Sequence, residues 1–94
     1  MSMRDKYQAK LKANLDTLEA EMKVLAAKAG KAKADAKVKL ELEVAVLKAQ
    51  QQLAKARLTA LKRASDEAWG DIKAGADQAW KDLSKAFAAA RKRF

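Results

Sequence analysis

Val38-Lys39-Leu40-Glu41-Leu42-Glu43-Val44-Ala45-Val46 alternates apolar and polar side chains, the pattern of a half-buried strand. The surrounding sequence argues against that reading. No second run of this kind is present to pair with it, and an isolated strand leaves its backbone N–H and C=O groups without partners. The flanks are built from Ala, Lys, Leu, Glu and Gln, the strongest helix formers, and the 94 residues contain no proline. Read as helix, the stretch places Val38, Leu42 and Val46 on one side and Leu40, Val44 and Leu47 on the other. A helix that is apolar on two sides has two neighbours.

Upstream, Leu11, Leu15, Leu18, Met22, Leu25, Ala29, Ala32 and Ala36 follow one another at alternating steps of four and three, a heptad-like helical seam. Two steps of four then lead through Leu40 to Val44. After Leu47, the alternation resumes with Gln51, Ala54, Leu58 and Leu61. The extra step of four is a stutter, which turns the apolar stripe around the helix. Between Ala26 and Ala36 the seam thins to alanine around Gly30, its weakest stretch by packing.

Downstream, an eleven-residue unit repeats: Asp66-Glu67-Ala68-Trp69-Gly70-Asp71-Ile72, then Asp77-Gln78-Ala79-Trp80-Lys81-Asp82-Leu83. Eleven residues are close to three helical turns, so both copies fall on nearly the same face. Steps of eleven back from Trp80 reach Trp69, Leu58, Leu47, Ala36 and Leu25. A second row runs through Leu61, Ile72, Leu83 and Phe94.

The best turn signal is Arg63-Ala64-Ser65-Asp66-Glu67. Lys62 and Arg63 suit the last carbonyls of one helix, Ser65 or Asp66 can N-cap the next, and the acidic residues favour its first turn. Gly30 is a second candidate. It lacks polar turn residues around it and costs only about 1 kcal/mol inside a continuous helix. The expectation is therefore one all-α domain over 1–94, a coiled-coil hairpin with helices at about 4–63 and about 66–92. The alternative is a three-helix arrangement with an additional break near Gly30.

Charge agrees with a fold-back. Residues 31–64 carry nine basic and three acidic side chains, whereas residues 65–90 carry three basic and five acidic ones, so the two segments attract. In the hairpin, Trp69, Ile72, Trp80, Leu83 and Phe87 pack on Leu40, Leu47, Leu58 and Leu61, and Val44 belongs to the same interface. The overhanging seam of Leu11, Leu15, Leu18, Met22 and Leu25 then needs another chain, which predicts a homo-oligomer, dimer or higher. Alanine, at 23 residues, removes little area from water, so stability has to come from long seams between helices.

The opening Asp5-Lys6-Tyr7-Gln8-Ala9-Lys10-Leu11-Lys12-Ala13, the Leu15 to Leu25 seam, the Lys-Ala-rich middle and Ala64-Ser65-Asp66-Glu67-Ala68-Trp69-Gly70-Asp71-Ile72-Lys73-Ala74-Gly75 together resemble a family of small bacterial coiled-coil proteins, sometimes labelled stress-response proteins. The Ala-Trp-x-Asp-Ile/Leu-Lys unit is the most specific part of that likeness. The eleven-residue amphipathic repeat is also similar, more weakly, to apolipoprotein-like and late-embryogenesis-like sequences. The resemblance implies a helical protein without catalysis, tied to stress.

The residue chemistry points the same way. The chain has neither histidine nor cysteine, so the usual general base, the thiol nucleophile and thiolate metal ligands are missing. Its one tyrosine, Tyr7, falls near an end expected to fray. Asp66, Glu67 and Asp71, or Asp77 with Asp82, read as caps and solvated charge in preference to a cation site. No enzymatic activity, cofactor, metal or small-molecule substrate is expected.

The opening Met1-Ser2-Met3-Arg4-Asp5-Lys6 is charged, and no stretch approaches the roughly 20 apolar residues of a membrane span, so a cytoplasmic protein is expected. With a net charge of +9, Lys31, Lys33, Lys37, Lys39, Lys62, Arg63, Arg91, Lys92 and Arg93 are the candidate contacts to a polyanion. The Trp69 to Phe94 stripe, flanked by lysines, would also suit an anionic membrane surface. Against the polyanion reading stand the i,i+4 pairs Glu19 with Lys23 and Asp35 with Lys39, which read as a solvated helix face. Against the membrane reading stands packing against other helices, which explains the same stripe. Self-association is the leading function. Contact with an anionic membrane or nucleic acid is the alternative.

Overall fold

The computed structural model describes residues 2–94. They form three α-helices: α1 (Met3–Lys31), α2 (Ala34–Arg63) and α3 (Asp66–Arg93). The alternating segment Val38–Val46 lies entirely within α2. Helices of this length, at about 1.5 Å per residue, account for a rod with a long dimension of 51 Å and cross-dimensions of 20 and 18 Å.

The chain runs up, down and up. Lys55 of α2 reaches Glu19 of α1 at 3.3 Å, and Arg93 at the end of α3 meets Glu43 near the start of α2, so α2 is antiparallel to both neighbours. Arg4 bonds Asp66 near the starts of α1 and α3, and Arg91 near the end of α3 bonds Glu21 in the second half of α1, so those two helices are parallel.

This arrangement corrects the continuous helix expected over about 4–63 and agrees with the alternative of three helices with a break near Gly30. The chain leaves helical geometry at Ala32 and Lys33, both extended (ψ 159° and 154°), and Gly30 stays inside the last turn of α1. The reason is burial. Folding back covers Leu11, Leu15, Leu18, Met22 and Leu25, each 6% exposed or less, against the chain's own α2. At about 1.5–3 kcal/mol per large side chain, that is on the order of 10 kcal/mol, against a few helical hydrogen bonds of about 1 kcal/mol net each. The overhang that called for a second chain is therefore absent.

Sequence-local caps set two of the three helix starts. Ser2 accepts from the Asp5 N–H and Ser65 from the Ala68 N–H, whereas Lys33, which opens α2, supplies no side-chain cap. The second turn lies at Ala64 and Ser65, where the sequence places it. The core runs the length of the rod. Leu15, Leu61, Leu83 and Phe87 are its largest fully enclosed side chains.

Candidate interaction surfaces

All fifteen side chains assigned to the seam belong to the core or pack against it. Leu11, Leu15, Leu18, Met22, Leu25, Val44, Leu47, Leu58, Leu61, Leu83 and Phe87 are buried, while Leu40, Trp69, Ile72 and Trp80 are half-buried at its margin. The tryptophan stripe is thus spent largely on packing within the chain. Gln51 is the one polar side chain in the buried set, 5% exposed, and its Nε2 donates to the Leu15 carbonyl at 3.5 Å.

Tyr7 is the clearest residue that sequence reasoning missed. Its ring sits edge-on to Trp69, with centroids 5.8 Å apart and planes at 79°, and its hydroxyl donates to the Asp77 carboxylate. Lys73 bonds Asp77 at 3.0 Å and lies 4.7 Å from the Tyr7 ring centre, while Arg4 lies 5.2 Å from the Trp69 ring centre. Arg4 also donates to the Ala64 carbonyl at 3.0 Å, tying the α2–α3 turn to the start of α1. The signal was in the spacing, since Tyr7 extends the Leu11 seam backward by one step of four.

The electrostatics of this cluster favour a structural clasp. Burial, then the Asp77 hydrogen bond and charge, raise the Tyr7 pKa, so the phenol holds its proton. The Tyr7 hydroxyl and then Lys73 hold the Asp77 carboxyl below its usual range. Neither group is poised to exchange protons near neutral pH. Among the described residues no group of three or more acidic, histidine or cysteine side chains is placed to hold a metal ion.

A second feature is electrostatic. The parallel run of α1 and α3 brings Lys31, at the end of α1, and Lys33, Lys37 and Lys39, at the start of α2, to the same end of the rod as Arg91, Lys92 and Arg93. Lys62 and Arg63 lie at the opposite end, so the nine candidate polyanion contacts divide into two sets. Several of these charges are already occupied: Arg91 by Glu21, Arg93 by Glu43 and Lys37 by Glu41 at 3.9 Å. The expected Glu19–Lys23 pair is replaced, because Glu19 faces Lys55 across the α1–α2 seam.

The third feature is apolar and faces outward. Val38, Leu42 and Val46 are 62%, 62% and 55% exposed, and Leu53 further along the same helix is 50% exposed. The bundle uses only one of the two apolar sides of α2. Beside the exposed side, Leu42 and Val46 line a shallow groove of about 290 Å³ whose other wall includes Ala86 and Ala89 of α3. Small side chains on that wall keep the groove open and smooth.

No helix among the described residues is long and apolar enough to cross a membrane. No family model, curated protein or solved structure matches the chain.

Proposed function

We propose that this chain is a non-enzymatic helical bundle that acts by self-association, in a structural or scaffolding role. The observation that carries the proposal is the exposed row Val38, Leu42, Val46 and Leu53 on α2. Isolated apolar side chains on a surface are ordinary, but a contiguous row along one helix marks a site for another surface. Its location differs from the Leu11 to Leu25 seam, which the chain covers itself. A stress-related setting follows from the family resemblance and a cytoplasmic one from the charged opening residues and the want of a long apolar stretch, and both belong to the same proposal. The non-catalytic reading rests on residue chemistry: there is no histidine or cysteine, and the one tyrosine is held protonated. Sedimentation velocity over a concentration series tests the proposal. A mass that rises toward a discrete oligomer supports it, and a monomer at every concentration refutes it.

The second reading is contact with an anionic membrane surface or nucleic acid, favoured by the basic end that carries Lys31, Lys33, Lys39 and Lys92. Lysines clustered this way act on phosphates mainly through salt-sensitive counterion release. Retardation of a nucleic acid, or cosedimentation with anionic vesicles, that disappears as salt is raised would support this reading. No binding at low salt would remove it.

A further inference from the structure

The outer face of α2 is itself a heptad seam. Leu42, Val46, Ala49, Leu53 and Ala56 are spaced four, three, four and three apart, all are exposed, and Val38 lies one turn ahead of them. On the opposite side of the same helix the core seam Val44, Leu47, Gln51, Ala54, Leu58, Leu61 has the matching alternation and is buried throughout. A helix with two heptad seams is built for two sets of helical partners. Within the chain, α1 and α3 fill only one.

For a second copy of the chain on the other seam, charge selects the orientation. All three carboxylates of α2, Asp35, Glu41 and Glu43, precede Leu47, whereas Lys48, Lys55, Arg57, Lys62 and Arg63 follow it with no carboxylate among residues 48–63. Lys37 and Lys39 leave residues 34–47 with a net charge of only −1, against +5 for residues 48–63, so a second α2 lying antiparallel sets a weakly acidic half beside a basic one at both ends. A parallel copy would set five cations beside five cations. Opposed helix dipoles add to the antiparallel preference.

Side-chain size agrees. An antiparallel register centred on Ala49 places Leu42 opposite Ala56 of the second copy and Ala49 opposite itself, while Val46 and Leu53, one residue out of that register, fill the layer between. Asp35 then falls opposite Arg63. We propose that two copies of this chain pair antiparallel along the outer face of α2, with the two-fold axis beside Ala49. This rests on the self-association reading and names its surface. From Val38 to Leu53 the seam is about 22 Å long, which places the pair below a standard interface of about 800 Å² per partner and makes it concentration-dependent.

Because the chain has no cysteine, single-cysteine variants report the geometry directly. Ala49→Cys and Leu42→Cys are both surface changes. Under mild oxidation Ala49→Cys is expected to form a disulfide dimer, while Leu42→Cys is not, since the two copies of residue 42 stand about 21 Å apart along the axis. Cross-linking at both positions would mean parallel pairing and overturn the proposal. Cross-linking at neither, while the wild-type protein still associates, would place the interface elsewhere and leave the self-association reading standing. A wild-type monomer at all concentrations defeats both. Leu53→Glu, with helicity unchanged by circular dichroism, should weaken association at least tenfold. If Leu53→Glu instead leaves association intact and abolishes binding to phosphatidylglycerol vesicles, the face belongs to lipid and the proposal fails.

Discussion

Tyr7 and Trp69 meet edge to face, 5.8 Å between ring centres, and through that contact the start of α1 is fastened to the first turns of α3. The contact spans helices that are not consecutive in the chain, so it closes the bundle in a way that neither turn does. Removing only the hydroxyl separates its two parts. Tyr7→Phe keeps the ring on Trp69 and loses the bond to Asp77, which should cost about 1 kcal/mol. Tyr7→Ala loses the aromatic packing as well and should cost about 2–3 kcal/mol. Urea unfolding of the two variants measures both figures. Equal losses would show that the ring contributes nothing.

Acid and base should weaken the bundle by different groups. Glu21, bonded to Arg91, and Asp77, bonded to Tyr7, both have folded pKa values below their ordinary ones of 4.5 and 3.8. Their contribution is therefore complete above the unfolded pKa and is lost as pH falls through the folded one. The melting temperature should drop below about pH 4.5, and the drop should be smaller in a Glu21→Gln, Asp77→Asn double variant. Tyr7 has the opposite sign of linkage. Its raised pKa means stability present below the ordinary phenol value near 10 and lost as pH rises beyond it. Tyr7→Phe should abolish that part of the alkaline loss.

Leu42 and Leu47 lie five residues apart on α2, yet one is 62% exposed and the other 2%. Leu47→Ala opens a cavity in the core and should cost about 2–5 kcal/mol, whereas Leu42→Ala should cost under about 0.5 kcal/mol to the isolated monomer. Thermal unfolding at low protein concentration, where association is absent, makes the comparison. A large loss at Leu42 would place that side chain inside the bundle.

The contrast also shows what periodicity can decide. Spacing alone marked both sides of α2 as apolar and put Leu47, Leu58 and Leu61 in the seam, because a helix keeps a fixed angular relation between residues. It also picked the Leu40, Val44 and Leu47 side as the covered one, but not that α1 would share that side with α3, since that depends on where α1 ends. The turn at Ser65 was legible, with a capping hydroxyl and an acidic first turn. The turn at Ala32 and Lys33 had only a weak local signal, Gly30 and a seam thinned to alanine, with no cap, no proline and no left-handed glycine. It exists because the Leu11 to Leu25 side chains bury themselves on α2, a long-range cause. Likewise Tyr7 was discounted for its place near the chain end, although its spacing from Leu11 was that of a seam residue.

Gln51 places a polar side chain in a seam otherwise made of Val, Leu and Ala, and its partner is the Leu15 carbonyl, which lies within the α1 helix. The bond is long at 3.5 Å, so it offsets little of the amide's desolvation. Gln51→Leu should raise stability by about 1 kcal/mol, because the Leu15 carbonyl keeps its helical partner when the amide is gone. A chemical-denaturation curve that shifts upward without change of slope is the expected result, and a lowered midpoint would show the amide bond to be worth more than its length implies.

The uncapped start of α2 is the place where stability is easiest to add. Lys33 stands at the N-cap of α2 with extended backbone (φ −65°, ψ 154°), the conformation in which a short polar side chain bonds the N–H groups of the first turn. Its positive charge also faces the positive end of the helix dipole. Lys33→Asp supplies the acceptor and reverses the charge, and should add about 1 kcal/mol at neutral pH. Ser65→Ala makes the opposite test at α3, where the hydroxyl already accepts from the Ala68 N–H at 3.3 Å, and should remove a similar amount. Guanidinium unfolding of the two variants beside the wild type reads both signs. If Lys33→Asp were destabilising, the chain near Ala32 would not turn in the way the extended backbone at 32 and 33 requires, and a continuous helix through Gly30 would regain its claim.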